Sequence, residues 1–249
     1  MKIGILGTGN IGKTLVQKLT KSGHEIKVAN SRGPETIDVQ ILTSGARAVT
    51  SQDAMKDVDV IILSIPFASH STIKPLMAEV PEETVVIDTA NYYPVRDGII
   101  QDIENGMVES LWVAGLLGRP IAKAWNAIGA RAFAESGMAS GNPDRIAIPV
   151  AADRKNDRDI AMRLVEATGF DAFDAGTLAD SWRQQPGAPV YCTNLTKHEM
   201  ATALDTAEKA RLPKRRDLVT AVVLERFGAE KLSNSDADFL TTLNRIIYR

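Results

Sequence analysis

The chain has 249 residues, 44% hydrophobic and 24% charged, with a formal net charge of −2, enough for one large α/β domain or such a domain with a small appendage. That balance argues against a dedicated nucleic-acid binder, which needs a basic face for phosphates, and no apolar run is long enough to span a membrane. The single cysteine, Cys192, excludes an internal disulfide and a cysteine-based zinc cluster, and the histidines at 24, 70 and 198 stand too far apart in sequence to suggest a metal site. The first strand begins at once, so no signal peptide is expected, and a cytoplasmic, reducing environment is the expectation.

Residues 2–6 (KIGIL) are short, apolar and β-prone and predict a buried strand. Gly7-Thr8-Gly9-Asn10-Ile11-Gly12 follows, a complete G-x-G-x-x-G. In such a turn the first glycine permits the tight exit from the strand, the second lets backbone approach a pyrophosphate, and the third lets helix pack on strand. Ile11, Leu15, Val16 and Leu19 form one apolar face of a helix over 11–22, which Gly23 ends. A second strand over 25–29 leads to Asn30-Ser31-Arg32. A site for NAD usually carries an acid there, for the ribose 2′-hydroxyl. Ser31 can donate a hydrogen bond and Arg32 can pair with a 2′-phosphate or lie on the adenine, so NADP(H) is the expected cofactor. Two alternatives stay open at this point: Arg32 as a solvated turn residue, and Glu35 as the acid.

Pro34 opens a second helix over 35–44 that ends at Gly45, and 46–50 is a weak third strand. "DVIILSIP" (59–66) and "TVVIDTAN" (84–91) are strands apolar on both faces, as in the middle of a covered parallel sheet. A helix over 108–117 and a strand over 120–128 complete an alternation that predicts an α/β, Rossmann-type doubly wound parallel sheet. Ligands of such sheets lie beyond the carboxyl ends of the strands. That nominates Ser64, Ile65, Pro66 and Phe67 after the fourth strand and Ala90 and Asn91 after the fifth, as cofactor contacts, and Asn126, Ala127 and Ile128 after the sixth, as acceptor contacts. Phe67 can equally be core and Asn91 a turn residue. His70, early in the helix after Pro66, is a further candidate for the crevice mouth, or simply exposed. Lys123 reads as a catalytic lysine or, more in keeping with its strand neighbours, a surface lysine.

Beyond this, 145–151 and 170–175 predict strands, 155–168 a helix and 177–194 a loop, in which Trp182, Arg183 and Gln185 are placed to close a pocket. Helical patterns over 195–210, 213–227 and 235–248 form a small C-terminal extension. The expected division is a nucleotide-binding domain with appended strands over 1–176 and a loop-and-helix region over 177–249.

"GTGNIGK", "SGHEIKVANSR", "VIILSIPF", "KAWNAIGARAFAESG" and "IPVAADRKNDRDIAMRLVEATGFDAFDAG", in that order, resemble the NADPH-dependent coenzyme F420 reductase family. That family includes the cytoplasmic reductase domain of the six-transmembrane metalloreductases. The resemblance covers about residues 1–190. It implies NADPH across the glycine turn, with Gly7, Thr8, Gly9, Asn10 and Ile11 at the pyrophosphate, Ser31 and Arg32 at the 2′-phosphate, and Ser64, Ile65 and Phe67 at the nicotinamide ribose. Asn126–Ile128 would face a flavin or coenzyme F420 as co-substrate. Hydride then passes directly between rings, with no catalytic side chain and no metal. Two departures stand out: Asn126 occupies a position where F420 reductases tend to have histidine, and the tail beyond 195 is longer. The helical tail and the analogy suggest a homodimer acting on a small-molecule acceptor. The rivals are an NADP-dependent β-hydroxyacid dehydrogenase or imino-acid reductase, and a non-catalytic NADPH sensor.

Overall fold

The structure is a computed structural model that describes residues 1–228 and 236–249. Eight strands form one sheet in the order β3-β2-β1-β4-β5-β6-β7-β8. They are β1 (Lys2–Leu6), β2 (Glu25–Ala29), β3 (Arg47–Ala48), β4 (Val60–Leu63), β5 (Val85–Asp88), β6 (Ala122–Lys123), β7 (Ala147–Ala152) and β8 (Asp171–Asp174). The first six run parallel, β7 is antiparallel to β6, and β8 is parallel to β7. The expected doubly wound sheet is therefore present, with a reversed pair on one edge.

Strand side chains alternate between two cores. Ile3, Ile5, Val60, Ile62, Val85 and Ile87 face the helices Asn10–Lys21 and Lys155–Ala167. Leu6, Ile61, Leu63 and Val86 face the helices His70–Met77 and Glu109–Leu117. This two-sided burial explains why the central strands read as continuous apolar runs.

Three expectations need correction. The helix expected over 35–44 is a 3-10 turn, Pro34–Thr36, and a four-residue helix, Val39–Leu42. The strand expected over 120–128 ends at Lys123, because Trp125 adopts φ 56°, a left-handed conformation rare for a bulky residue, and turns the chain. The loop expected over 177–194 holds a 3-10 helix, Leu178–Gln184, with Leu178, Ser181 and Gln184 buried. Its prolines and glycines lie at Pro186–Pro189, beyond that helix. The C-terminal helices are Lys197–Asp205, Leu212–Phe227 and Ala237–Tyr248; the expected start of the last, residue 235, lies outside the described residues.

Candidate functional site

Register pairs run in one row across the sheet: Ala29 with Leu6, Leu6 with Leu63, Leu63 with Asp88, and Asp88 with Lys123. The loops that leave this row share one edge, and the glycine turn lies at its centre. Gly7 has φ 108°, and a Cβ there would fall 2.0 Å from the Ser64 carbonyl oxygen. A Cβ on Gly12 would fall 2.0 Å from the Gly7 carbonyl oxygen. Gly9 differs: among the described residues a Cβ there meets nothing within 4 Å. It is the N-cap of the helix Asn10–Lys21, which has no side-chain cap and no acid in its first turn. The uncapped N–H groups and the helix dipole therefore favour an anion in that space.

A cleft of about 500 Å³ adjoins the turn, lined by Gly7, Thr8, Gly9, Asn30, Ser31, Arg32, Ser64, Ile65 and Pro66 among others. Among the described residues the exposed Arg32 side chain has no hydrogen-bond or ion-pair partner. The Asn30 side chain is spent on the turn, accepting from Arg32 N at 2.9 Å and donating to Thr36 Oγ1 at 2.9 Å. Glu35 does not line the cleft; its carboxylate folds back over Gly33. Asn10 lines a separate cavity with Gly129, Cys192 and Asn194.

Several nominated residues lie behind the crevice rather than on it. Phe67 is fully buried, against His70, Tyr92 and Trp112. His70 is also fully buried and neither exposed nor at the mouth: Nδ1 lies 2.8 Å from the Phe67 carbonyl oxygen and Nε2 2.9 Å from Asp88 Oδ1. Ala90 is buried, its N–H donating to Asp88 Oδ1 at 3.1 Å and its carbonyl accepting from Lys123 Nζ. Ala127 and Ile128 are buried as well, Ala127 accepting from Cys192 N at 2.9 Å and Ile128 within the core. Asn126 is only 2% exposed, and its amide is engaged on all sides. Its Nδ2 donates to Asn91 Oδ1 at 3.0 Å and to the Gln184 carbonyl at 2.8 Å. Its Oδ1 accepts from Gln184 Nε2 at 2.9 Å, and Asn91 Nδ2 donates to its carbonyl at 2.9 Å. Asn91 alone of this group remains half-buried.

The sequence reading missed an ionic cluster beneath these loops. Lys123 is no surface residue; it is fully buried and donates to Asp88 Oδ2 at 2.6 Å. Burial opposes ionisation of Asp88, but Lys123 and His70 outweigh it and hold the carboxyl well below the usual range. Through Phe67, Asp88 and Ala90, the cluster ties the loop after β4 to the loop after β5. Glu109, 2% exposed, accepts from Tyr92 N and Gln185 Nε2, each at 3.2 Å. Burial pushes its carboxyl up to about 7, against the pull of Lys123. A charge inside each of two apolar strands, at Asp88 and Lys123, was the available signal.

Residues 2–92 match the family described as NADP oxidoreductase, coenzyme F420-dependent. Over 80 residues, 30% of this chain and 58% of the relative, the sequence is 40% identical to YjhV of Escherichia coli K12. Over 182 residues, 72% of this chain, it is 25% identical to the metalloreductase STEAP3 of Rattus norvegicus, of which it spans 35%. The chain thus covers less than two thirds of either curated relative. Protein SMa0349 of Sinorhizobium meliloti has a similar structure, with a TM-score of 0.68 at 26% identity over 79% of this chain and 96% of that one. A structure from Arthrobacter sp. FB24 named for an F420-dependent NADP reductase scores 0.59 at 18% identity, over 89% and 95%, a likeness of fold. Residues 2–92 are therefore similar to the NADP oxidoreductases described as coenzyme F420-dependent.

Proposed function

We propose that the chain is an NADPH-dependent oxidoreductase that transfers hydride between NADP(H) and a planar, flavin- or deazaflavin-like acceptor. The observation that carries this reading is the open backbone at Gly9, set between two glycines that admit no side chain and beside the unpartnered Arg32. The open space and the uncapped helix donors support a pyrophosphate there. In this reading Gly7 to Ile11 hold the pyrophosphate, Ser31 and Arg32 bind the 2′-phosphate, and Ser64, Ile65 and Pro66 flank the nicotinamide half with Asn91 beyond them. Bound NADPH supplies the hydride.

The chain's own residues position and shield. Asp88, His70 and Lys123 are held by one another and by backbone, so they stiffen the crevice walls and do not offer a proton to a reacting atom. That favours an acceptor ring, which needs alignment more than an acid, over a carbonyl or imine, which needs a proton donor. The match of residues 2–92 supports NADP as the cofactor. The test is oxidation of NADPH in the presence of FMN, FAD, coenzyme F420 or a ferric chelate. Turnover with a flavin or deazaflavin is expected. Tight NADPH binding with no turnover on any acceptor would instead identify a sensor.

A further inference from the structure

The loops that leave β5 and β6 at this edge of the sheet are joined by an amide chain. Asn91 and Asn126 each stand three residues past the register row that joins Asp88 to Lys123, so they leave the sheet side by side. Trp125, in its left-handed conformation and fully buried in the core, turns the chain to present Asn126 there. Gln184 then meets Asn126 twice, its Nε2 donating to Asn126 Oδ1 at 2.9 Å and its carbonyl accepting from Asn126 Nδ2 at 2.8 Å. With both ends of that amide fixed, Asn126 holds Asn91 through a second reciprocal pair, at 3.0 and 2.9 Å. Gln185, the next residue, exchanges hydrogen bonds with Glu109, each at 3.2 Å, and Glu109 accepts from Tyr92 N. The pair Gln184-Gln185 therefore grips the loop after β5 from both sides.

A buried amide network of this kind costs stability unless each member is satisfied, and its yield is a single fixed geometry. Here nearly every polar atom is paired; Gln184 Oε1 is the exception. What the network fixes is Asn91, half-buried on the loop that leaves β5 at the edge shared with the glycine turn. We infer that Gln184 is a positioning residue for the nicotinamide: acting through Asn126, it holds the Asn91 amide in the one orientation that keeps the reduced ring aligned. This rests on the proposed NADPH site. Gln184 itself touches neither cofactor nor substrate.

The test is Gln184→Met, which keeps the side chain's length and removes its hydrogen bonds. NADPH affinity is measured by calorimetry, and mobility of the bound reduced nicotinamide by its fluorescence anisotropy. The expected result is affinity within about twofold of the parent, because the pyrophosphate and 2′-phosphate contacts are remote. Anisotropy of the bound ring falls, and turnover with the best flavin acceptor drops about tenfold or more with little change in KM. Should Gln184→Met fail to fold, Gln184→Glu is read the same way; its anisotropy and turnover recover as the pH falls and the acid regains a donor. Unchanged anisotropy at unchanged affinity would overturn the inference while leaving the NADPH site in place. Absence of NADPH binding by the parent chain would overturn the NADPH site itself.

Discussion

Gly9 is the position where the glycine turn is open and its two companions are closed. Gly7 and Gly12 answer to packing, since a Cβ at either would lie 2.0 Å from a carbonyl oxygen, whereas Gly9 faces free space. Gly9→Val should therefore fold, as circular dichroism would report, and lose NADPH binding, because the new side chain would fill the space proposed for the phosphates. Arg32 admits a similar argument. A charge-assisted hydrogen bond contributes about 1.5–3 kcal/mol, so Arg32→Ala should weaken NADPH about 10- to 100-fold and leave NADH nearly unchanged. Equal losses for both nucleotides, measured by fluorescence titration, would detach Arg32 from the 2′-phosphate. The glycine turn and the exposed arginine beside it stood out in the sequence because glycine spacing and a missing acid are local signals. His70 and Asn126 did not. Each was placed on the crevice by its position after a strand, and each is buried because a distant partner claims its polar atoms: Asp88 for His70, Gln184 for Asn126.

Among the elements, the central strands declared themselves through apolar residues on both faces, and their order follows from the alternation with helices. The short β6 did not. Its apolar run continues through Ile128, but the turn at Trp125 is a backbone event that composition does not record. The charges in β5 and β6 are 35 positions apart, and only the parallel register joins them. Glu109, at the start of the helix Glu109–Leu117, gives these elements a pH signature. Its carboxyl is raised from 4.5 to about 7 in the fold, so between those values the folded chain holds a proton that the unfolded chain has released. Unfolding free energy should then decline as pH rises through that window, and level off above about 7. His24, whose ring is pushed down by burial and by the N-terminal charge, acts in the opposite direction. The comparison with Glu109→Gln isolates the Glu109 contribution: urea unfolding of the variant should lack that decline. A parallel slope in both proteins would show that Glu109 ionises as an ordinary carboxyl.

On the scale of the whole molecule, the C-terminal helices pack against the segments that follow β5 and β6 through one cluster. Tyr248, 1% exposed, packs with Tyr191, whose hydroxyl accepts from Tyr93 Oη at 3.0 Å, and Arg245 Nε donates to the Thr193 carbonyl at 2.8 Å. Cys192 in the same segment donates its N–H to Ala127 beyond β6. Truncating a large buried aromatic costs about 3–5 kcal/mol, so Tyr248→Ala should lower Tm by roughly 10 °C; a negligible change would mean the last helix is not anchored there. The sequence announced three helices in this region but not their docking, because contacts between residues some fifty positions apart leave no periodic trace. The 3-10 helix Leu178–Gln184, read as a loop, illustrates the same point: it is held by Asp153 at one end and Asn126 at the other.

The central claim is that bare backbone donors at the glycine turn, with Arg32 beside them, form a seat for NADP(H). Isothermal titration of the folded chain with NADPH and, separately, with NADH tests it most directly. The account predicts a saturable heat with NADPH and markedly weaker binding of NADH. No heat with either nucleotide, or equal affinity for the two, would contradict it.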